Sequence, residues 1–184
     1  MGEESHFLKK YFEQIYIGCN QLELEVFNYL IKGIKNVRKK NSKIIIAGNG
    51  GSAAIASHVS VDFTKAAGIR AVNFNEADLI TCFSNDFGYE NWLSQAIRSY
   101  ALKDDFVILI SSSGKSLNMI NAAKLVREMK LPLITLTGFD VNNPLKSLGE
   151  VNGWVNSNEY NVIEMTHHIW LLSIMDFWIQ KYEL

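Results

Sequence analysis

The sequence has few of the features that mark secreted, membrane or nucleic-acid-binding proteins. It has two cysteines and two prolines in 184 residues, which argues against a disulfide scaffold and predicts reduced thiols. Its 18 Lys and Arg against 19 Asp and Glu give a net charge of −1, so it lacks the basic surface of a nucleic-acid or acidic-membrane binder. The longest apolar stretch, 163–179, is too short and too often interrupted by polar residues to span a membrane.

Segments that mark processing or domain boundaries are also missing. The first six residues are polar and acidic, unlike a secretory signal, so a cytoplasmic location is expected. The chain contains no Gly/Ser-rich linker, no low-complexity tract and no internal repeat. We therefore expect a single domain over residues 1–184, with no nucleic-acid or membrane partner.

Apolar periodicity predicts the order of helices and strands. Residues 8–17 and 22–37 carry apolar side chains at three- and four-residue spacing, which predicts two N-terminal helices. Three short apolar strands are predicted at 43–47, 105–110 and 133–137. The helices predicted after them are at 53–63, 117–129 and about 160–182, in the same order. Strands that are apolar on both faces and alternate with helices indicate a parallel sheet in a three-layer α/β/α sandwich.

Two polar segments follow predicted strands and are the candidate ligand-binding loops. The glycine turn, residues 48–52, lacks the spacing of a dinucleotide fingerprint and of a P-loop, and a plain strand-to-helix turn explains it equally well. The serine loop, residues 111–116, places four hydroxyls around a glycine before a helix, which favours phosphate binding. The alternative is that Ser116 only caps the next helix, although a cap needs one hydroxyl.

Two motifs, GNGGSAAIASHVSVDF at 48–63 and ISSSGKS at 110–116, together resemble the sugar-isomerase (SIS) domain family. Within that family the chain looks most like the sedoheptulose 7-phosphate isomerases. The resemblance extends over nearly the whole chain, including an Asn-Asp pair after a helix at 85–86 and the long last helix.

The resemblance implies a homotetramer with active sites shared between subunits. It also implies conversion of sedoheptulose 7-phosphate to D-glycero-D-manno-heptose 7-phosphate through an enediol, a reaction of lipopolysaccharide or capsule heptose biosynthesis. The residues that it assigns to phosphosugar binding are Asn49, Gly50, Gly51, Ser52, Asn85, Asp86, Ser111, Ser112, Ser113 and Ser116.

The acid/base and metal residues are expected on two helices. Isomerisation needs one group to take a proton and one to return it. His58 and Asp62 are four residues apart and share a helix face. At these positions the family has a histidine and a glutamate that serves as base and metal ligand, so Asp62 is the expected base. Its side chain is one methylene shorter than that glutamate.

The last helix departs from the family pattern. Ungapped alignment places Glu164 at the family's glutamine, His167 at its first histidine and Leu172 at its catalytic histidine. One hypothesis is that His168 replaces the family's catalytic histidine and acts as the acid that works with the base Asp62. Under this hypothesis Glu164 also binds substrate, and His58, Asp62, Glu164 and His168 form a zinc site. The alternative is that His167 and His168 are ordinary core residues. The chain is then a regulator that binds a sugar phosphate or a protein, or it isomerises a different phosphosugar.

Overall fold

Helices and strands alternate along most of the chain. The structure is a computed structural model that describes residues 2–182. The helices are α1 (Glu3–Cys19), α2 (Leu24–Lys40), α3 (Gly51–Lys65), α4 (Ala77–Phe87), α5 (Trp92–Tyr100), α6 (Leu117–Glu128) and α7 (Tyr160–Tyr182). The strands are β1 (Ile44–Gly48), β2 (Ala71–Val72), β3 (Phe106–Ser111), β4 (Leu133–Thr137) and β5 (Val151–Trp154), and a 3₁₀ turn covers Lys146–Leu148.

The five strands form one parallel sheet in the order β2-β1-β3-β4-β5. Gly48 at the end of β1 pairs with Ile110 of β3, and Ser111 at the end of β3 pairs with Thr137 of β4. The parallel sheet predicted from the apolar strands is therefore confirmed. The three central strands end at the same edge, so the loops that follow them lie together there.

Alternate strand residues face two separate cores. Ile44 and Ile46 of β1 pack with residues of α2, α3 and α7, whereas Ile45 and Ala47 pack with residues of α5 and α6. All residues of β1, β3 and β4 are buried. Helices thus cover both faces of the sheet, and the predicted three-layer α/β/α sandwich is confirmed.

The predicted helices and three central strands are all present, with small shifts of their ends. The N-terminal helices and α7 run as predicted or slightly longer, and β4 has the predicted bounds. Strands β2 and β5 and helix α5 are additions. No helix among residues 2–182 is long and apolar enough to cross a membrane.

One placement is corrected. Asn85 and Asp86 were expected after a helix, and they lie in the last turn of α4. The helix continues past them because its C-terminal cap is Gly88, which has a φ of 81° and donates its backbone N–H to the Ser84 carbonyl at 3.0 Å. A glycine with positive φ is a common helix stop, whereas Asn and Asp are tolerated within the turn before it.

A buried carboxylate joins β1 and β3 at the sheet edge opposite the loops. Asp105 is fully buried and accepts hydrogen bonds from the backbone N–H groups of Lys43 at 3.0 Å and Leu102 at 2.8 Å. It also accepts one from the Lys43 ammonium. These bonds fix the starts of both strands and therefore their register.

Replacing this carboxylate is expected to destabilise the fold. Asp105→Ala should lower the free energy of unfolding by about 3 kcal/mol, because it leaves the Lys43 charge and two N–H groups without their partner, measured by urea denaturation. Asp104→Asn is the matched control, since Asp104 is exposed with a φ of 72° that Asn also tolerates. That variant should stay within about 0.5 kcal/mol of wild type, and equal losses in the two variants would contradict this role.

Candidate functional site

The glycine turn and the serine loop are held side by side by a pair of amides. The Asn49 Nδ2 donates to Asn118 Oδ1 at 2.9 Å, and the Asn118 Nδ2 donates back to Asn49 Oδ1 at 2.9 Å. Asn118 lies in the first turn of α6, directly after the serine loop. The Tyr89 hydroxyl also donates to Asn49 Oδ1 at 3.4 Å. The two loops named from the sequence therefore form one continuous surface.

The glycine turn brings α3 close to α7. Gly50 has a φ of 54°, a conformation that favours glycine. A Cβ on Gly51 would overlap the Glu164 carboxylate, so only glycine leaves room for it. Burial raises the pKa of the Glu164 carboxyl. A carboxylate at the start of α3 also interacts favourably with the positive end of the helix dipole.

The serine loop contains hydroxyls that the fold does not use. Ser111 and Ser112 are buried, and the Ser112 Oγ has no hydrogen-bond partner within residues 2–182. Ser116 takes the N-cap position of α6 and makes no side-chain cap bond. The alternative that Ser116 only caps the helix is therefore not supported, because its hydroxyl does not perform that task.

Gly114 allows the serine loop to turn tightly. It has a φ of 62°, and the Asn143 Oδ1 occupies the space that a Cβ would fill. The loop is tied to the following strand through the Gly138 N–H, which donates to the Ser112 carbonyl at 2.8 Å. The loops after β3 and β4 are thus one unit.

His58 is hydrogen-bonded on both sides of its ring. Its Nδ1 lies 2.8 Å from His168 Nε2, and its Nε2 lies 3.0 Å from Asp62 Oδ2. The two imidazole rings are nearly perpendicular. When His58 donates its Nε2–H to the carboxylate and accepts at Nδ1, His168 donates its Nε2–H and keeps a lone pair at its own Nδ1. The three residues therefore form a chain in which Asp62 orients His58, and His58 orients His168.

His167 and His168, which are adjacent on α7, have different environments. His167 is fully buried, its Nε2 lies 3.1 Å from the Thr137 carbonyl, and burial lowers its pKa to about 4. His167 is therefore neutral near pH 7 and donates to that carbonyl. Burial, and next the charge of His58, lower the pKa of His168, while the Asp62 charge opposes the shift. Thus His167 anchors α7 to the end of β4, and His168 points to α3.

Comparison with known proteins identifies the family. The model of the SIS domain matches residues 10–138. The chain belongs to the SIS domain family.

Similar proteins include two phosphoheptose isomerases and a protein solved with ManNAc-6P. A phosphoheptose isomerase of Buchnera aphidicola (subsp. Schizaphis graminum) is 34% identical over 152 residues, which are 80% of this chain and 77% of that protein. The solved phosphoheptose isomerase of Neisseria gonorrhoeae is 25% identical with a TM-score of 0.84, over 95% and 96% of the two chains. The Vibrio vulnificus NanR protein, complexed with ManNAc-6P, is 15% identical with a TM-score of 0.75, over 96% and 62%, and shares the fold.

The SIS-type site residues named from the sequence fall into two groups. His58, Asp62 and His168 contact one another, and Asn49 contacts the start of α6. Asn85 and Asp86 are exposed and hydrogen-bonded to each other at 3.0 Å. No hydrogen bond in the described part of the chain joins that pair to either loop. Their assignment to phosphosugar binding stays a prediction.

The four predicted zinc ligands do not converge as placed. His58 directs one nitrogen to His168 and the other to Asp62, so one metal ion cannot take all three residues in this arrangement. Glu164 lies against Gly51 and has no described contact with them. Within residues 2–182, no group of three or more His, Cys, Asp or Glu side chains is placed to hold a metal. Zinc stays a prediction, and no chemical step below depends on it.

Two contributors to this site were not predicted from the sequence. Asn118 resembles any polar residue in a first helical turn, and Tyr89 follows a helix-ending glycine without a motif. From the sequence alone, an asparagine two residues after Ser116 does not indicate a role in the site. Its role becomes visible only when its hydrogen-bond partner Asn49 is known.

The buried His167 predicts an acid-sensitive fold. Its pKa is about 4 in the folded chain against the ordinary 6.5, so the unfolded chain binds the extra proton between these values. Stability is therefore complete above pH 6.5 and falls as the pH drops toward 4, by about 3 kcal/mol from this group. Urea denaturation of wild type and His167→Gln between pH 7 and 4 measures the difference.

His167→Gln should be less stable at pH 7 but show a flatter pH dependence, because its amide can donate to Thr137 without titrating. His6→Gln, at an exposed position, should show the same dependence of unfolding free energy on pH as wild type. If His167→Gln shows that dependence as well, His167 does not cause the acid sensitivity.

Proposed function

We propose that the protein is an aldose–ketose isomerase that converts sedoheptulose 7-phosphate to D-glycero-D-manno-heptose 7-phosphate. The observation that carries the proposal is the hydrogen-bonded chain Asp62–His58–His168, whose first two residues lie on α3, the helix that begins at the glycine turn. Relatives named as phosphoheptose isomerases support the substrate. The acid/base chain supports an active enzyme despite Leu172.

The serine loop is the proposed phosphate site. The Ser112 hydroxyl is buried without a partner in the described chain, and the Ser116 hydroxyl makes no cap bond. Both can donate to phosphate oxygens, and the N-terminus of α6 favours an anion. With the phosphate there, the sugar extends toward the glycine turn, because Asn118 ties that turn to the same helix.

Asp62 and His168 divide the proton transfers between carbon and oxygen. Asp62 removes a proton from C1 of the ketose, and the electron pair forms the C1–C2 double bond as the carbonyl oxygen becomes negative. His168, neutral at Nδ1, accepts the proton of the C1 hydroxyl and passes it to the C2 oxygen. Asp62 returns its proton to C2, and the C1 oxygen becomes the aldehyde.

Asp62 supports the charge that forms on His168, whereas a charge on His58 opposes it. When His168 is protonated, its Nε2–H strengthens the bond to His58 Nδ1, and the Asp62 charge acts through the same chain. The lowered pKa of His168 means that the imidazolium releases this proton readily. A neutral resting histidine therefore suits the proposed transfer between two oxygens.

Removing either group should slow turnover strongly. Asp62→Asn and His168→Gln should each lower kcat by about 10²–10⁴-fold, the usual contribution of one acid/base group. The assay is incubation with sedoheptulose 7-phosphate in D₂O, followed by NMR of new anomeric signals and of deuterium entering the sugar. Asp62→Asn should lose deuterium exchange at carbon together with turnover, because no base remains.

Asp176→Asn is the matched control, since Asp176 is exposed on the same helix as His168, and it should keep wild-type turnover. No product and no exchange with the wild-type protein would overturn the proposal. If the sugar phosphate still raised the melting temperature, the chain would be a binding protein or would act on another phosphosugar.

Zinc is tested in the same assay. We propose zinc as a cofactor only on the family resemblance, so the assay is run on protein as purified, after chelation, and after zinc is restored. Activity that is lost and then regained supports a metal site, which requires His58 or His168 to rotate from the arrangement described. Activity that is unchanged by chelation, together with no bound zinc by elemental analysis, argues against it.

We also propose a homotetramer. Helix α1 exposes several large apolar side chains, namely Phe7, Leu8, Phe12, Tyr16 and Ile17, and extensive apolar exposure is typical of an interface. Analytical ultracentrifugation should give four times the 20.8 kDa chain mass. Phe12→Glu should shift the protein to smaller species, whereas Lys124→Glu, a charge reversal at an exposed position of α6, should not. A wild-type monomer would contradict the assembly.

A further inference from the structure

Asn118 is a buried polar residue that the proposed chemistry does not use. It is 2% exposed and is the second residue of α6. Its side chain makes two hydrogen bonds, both with the Asn49 amide and both 2.9 Å long. A buried amide needs its donors and acceptor satisfied, and here one other side chain supplies both partners.

The same pairing restricts Asn49. One N–H of its Nδ2 donates to Asn118, and its Oδ1 accepts from Asn118 and from the Tyr89 hydroxyl. Both lone pairs of the oxygen are therefore used. The second N–H of Asn49 is the polar group that this network leaves for a ligand oxygen.

We propose that Asn118 is a positioning residue that holds the Asn49 amide with its uncommitted N–H presented to the sugar. The inference rests on the proposed function, since it takes Asn49 as a sugar-binding residue. Asn118 itself need not touch the substrate. Its effect on turnover passes through Asn49.

The pairing also sets the distance between two parts of the ligand site. Asn118 lies two residues after Ser116, on the helix that begins at the serine loop, whereas Asn49 lies in the turn after β1. Their amide pair fixes the glycine turn relative to the proposed phosphate site. A phosphosugar that reaches both loops therefore meets a preset spacing, and loss of the pair should weaken its binding more than it slows the chemistry.

The first test needs no ligand. In the free protein, NMR should show the Asn49 side-chain amide protons separated in chemical shift and slow to exchange with solvent. Asn118→Leu keeps the side-chain size without the amide and should make the Asn49 signals resemble those of an exposed asparagine. Unchanged Asn49 signals in Asn118→Leu would overturn the positioning role.

The second test is a double-mutant cycle on kcat/KM for sedoheptulose 7-phosphate. Asn118→Leu alone should lower kcat/KM about tenfold, mostly through KM, as expected for loss of one ligand hydrogen bond. In an Asn49→Ala background the same substitution should change kcat/KM by less than about twofold, because the group that it positions is absent. Equal losses in both backgrounds would show that Asn118 acts only through general stability.

Asn121→Leu is the matched control. Asn121 lies on the same helix and uses its amide to bind Glu90 and Asn91, so its loss should lower stability while KM stays unchanged. Asn118→Asp keeps the acceptor for Asn49 but loses the donor, and it should restore only part of the affinity. If wild type neither binds nor converts the sugar, the proposed function fails, and the NMR measurement alone decides whether Asn118 positions Asn49.

Discussion

The parallel pairing of β1, β3 and β4 is the constraint on which the site depends. Each of these strands is fully buried, and their last residues are paired in register, Gly48 with Ile110 and Ser111 with Thr137. Because the strands run in one direction, their carboxyl ends and the loops that follow lie at one edge. The residues that could bind and convert a ligand come from segments far apart in sequence, and only this register brings them together.

A closed series of hydrogen bonds then fixes the loops and helices at that edge. Each link joins a segment to the next one around the site, so movement of one would strain its neighbours. The links are Asn49 with Asn118, Ser112 with Gly138, Thr137 with His167, and His168 with His58, which returns to the helix that follows the glycine turn. Such a series preorganises polar groups without a ligand, which lowers the cost of ordering them on binding.

The parts predicted from sequence are those with a strong local signal. Buried strands rich in β-branched residues and long helices with apolar periodicity are predictable, because their patterns contain enough residues to be distinguished from chance. Strand β5 has four residues and includes Gly153, and β2 has only two residues, so neither has a clear apolar period. The Asn49–Asn118 pair connects positions 69 residues apart, and no local pattern can report such a contact.

The position of the proposed acid/base histidine follows from where α7 meets the core. Leu172 packs against the apolar cluster beneath the sheet, among residues of α2, α3 and α7, where an imidazole would need a polar partner. One turn earlier, about 5.4 Å along the helix, His168 lies beside His58, and its neighbour His167 is bound to the end of β4. The anchor at His167 fixes the rotation of α7, so the side chain at 168 must face α3. A histidine there can meet His58 and the short carboxylate of Asp62 in one hydrogen-bonded chain, which is why loss of the aligned histidine at 172 need not remove the acid/base chemistry.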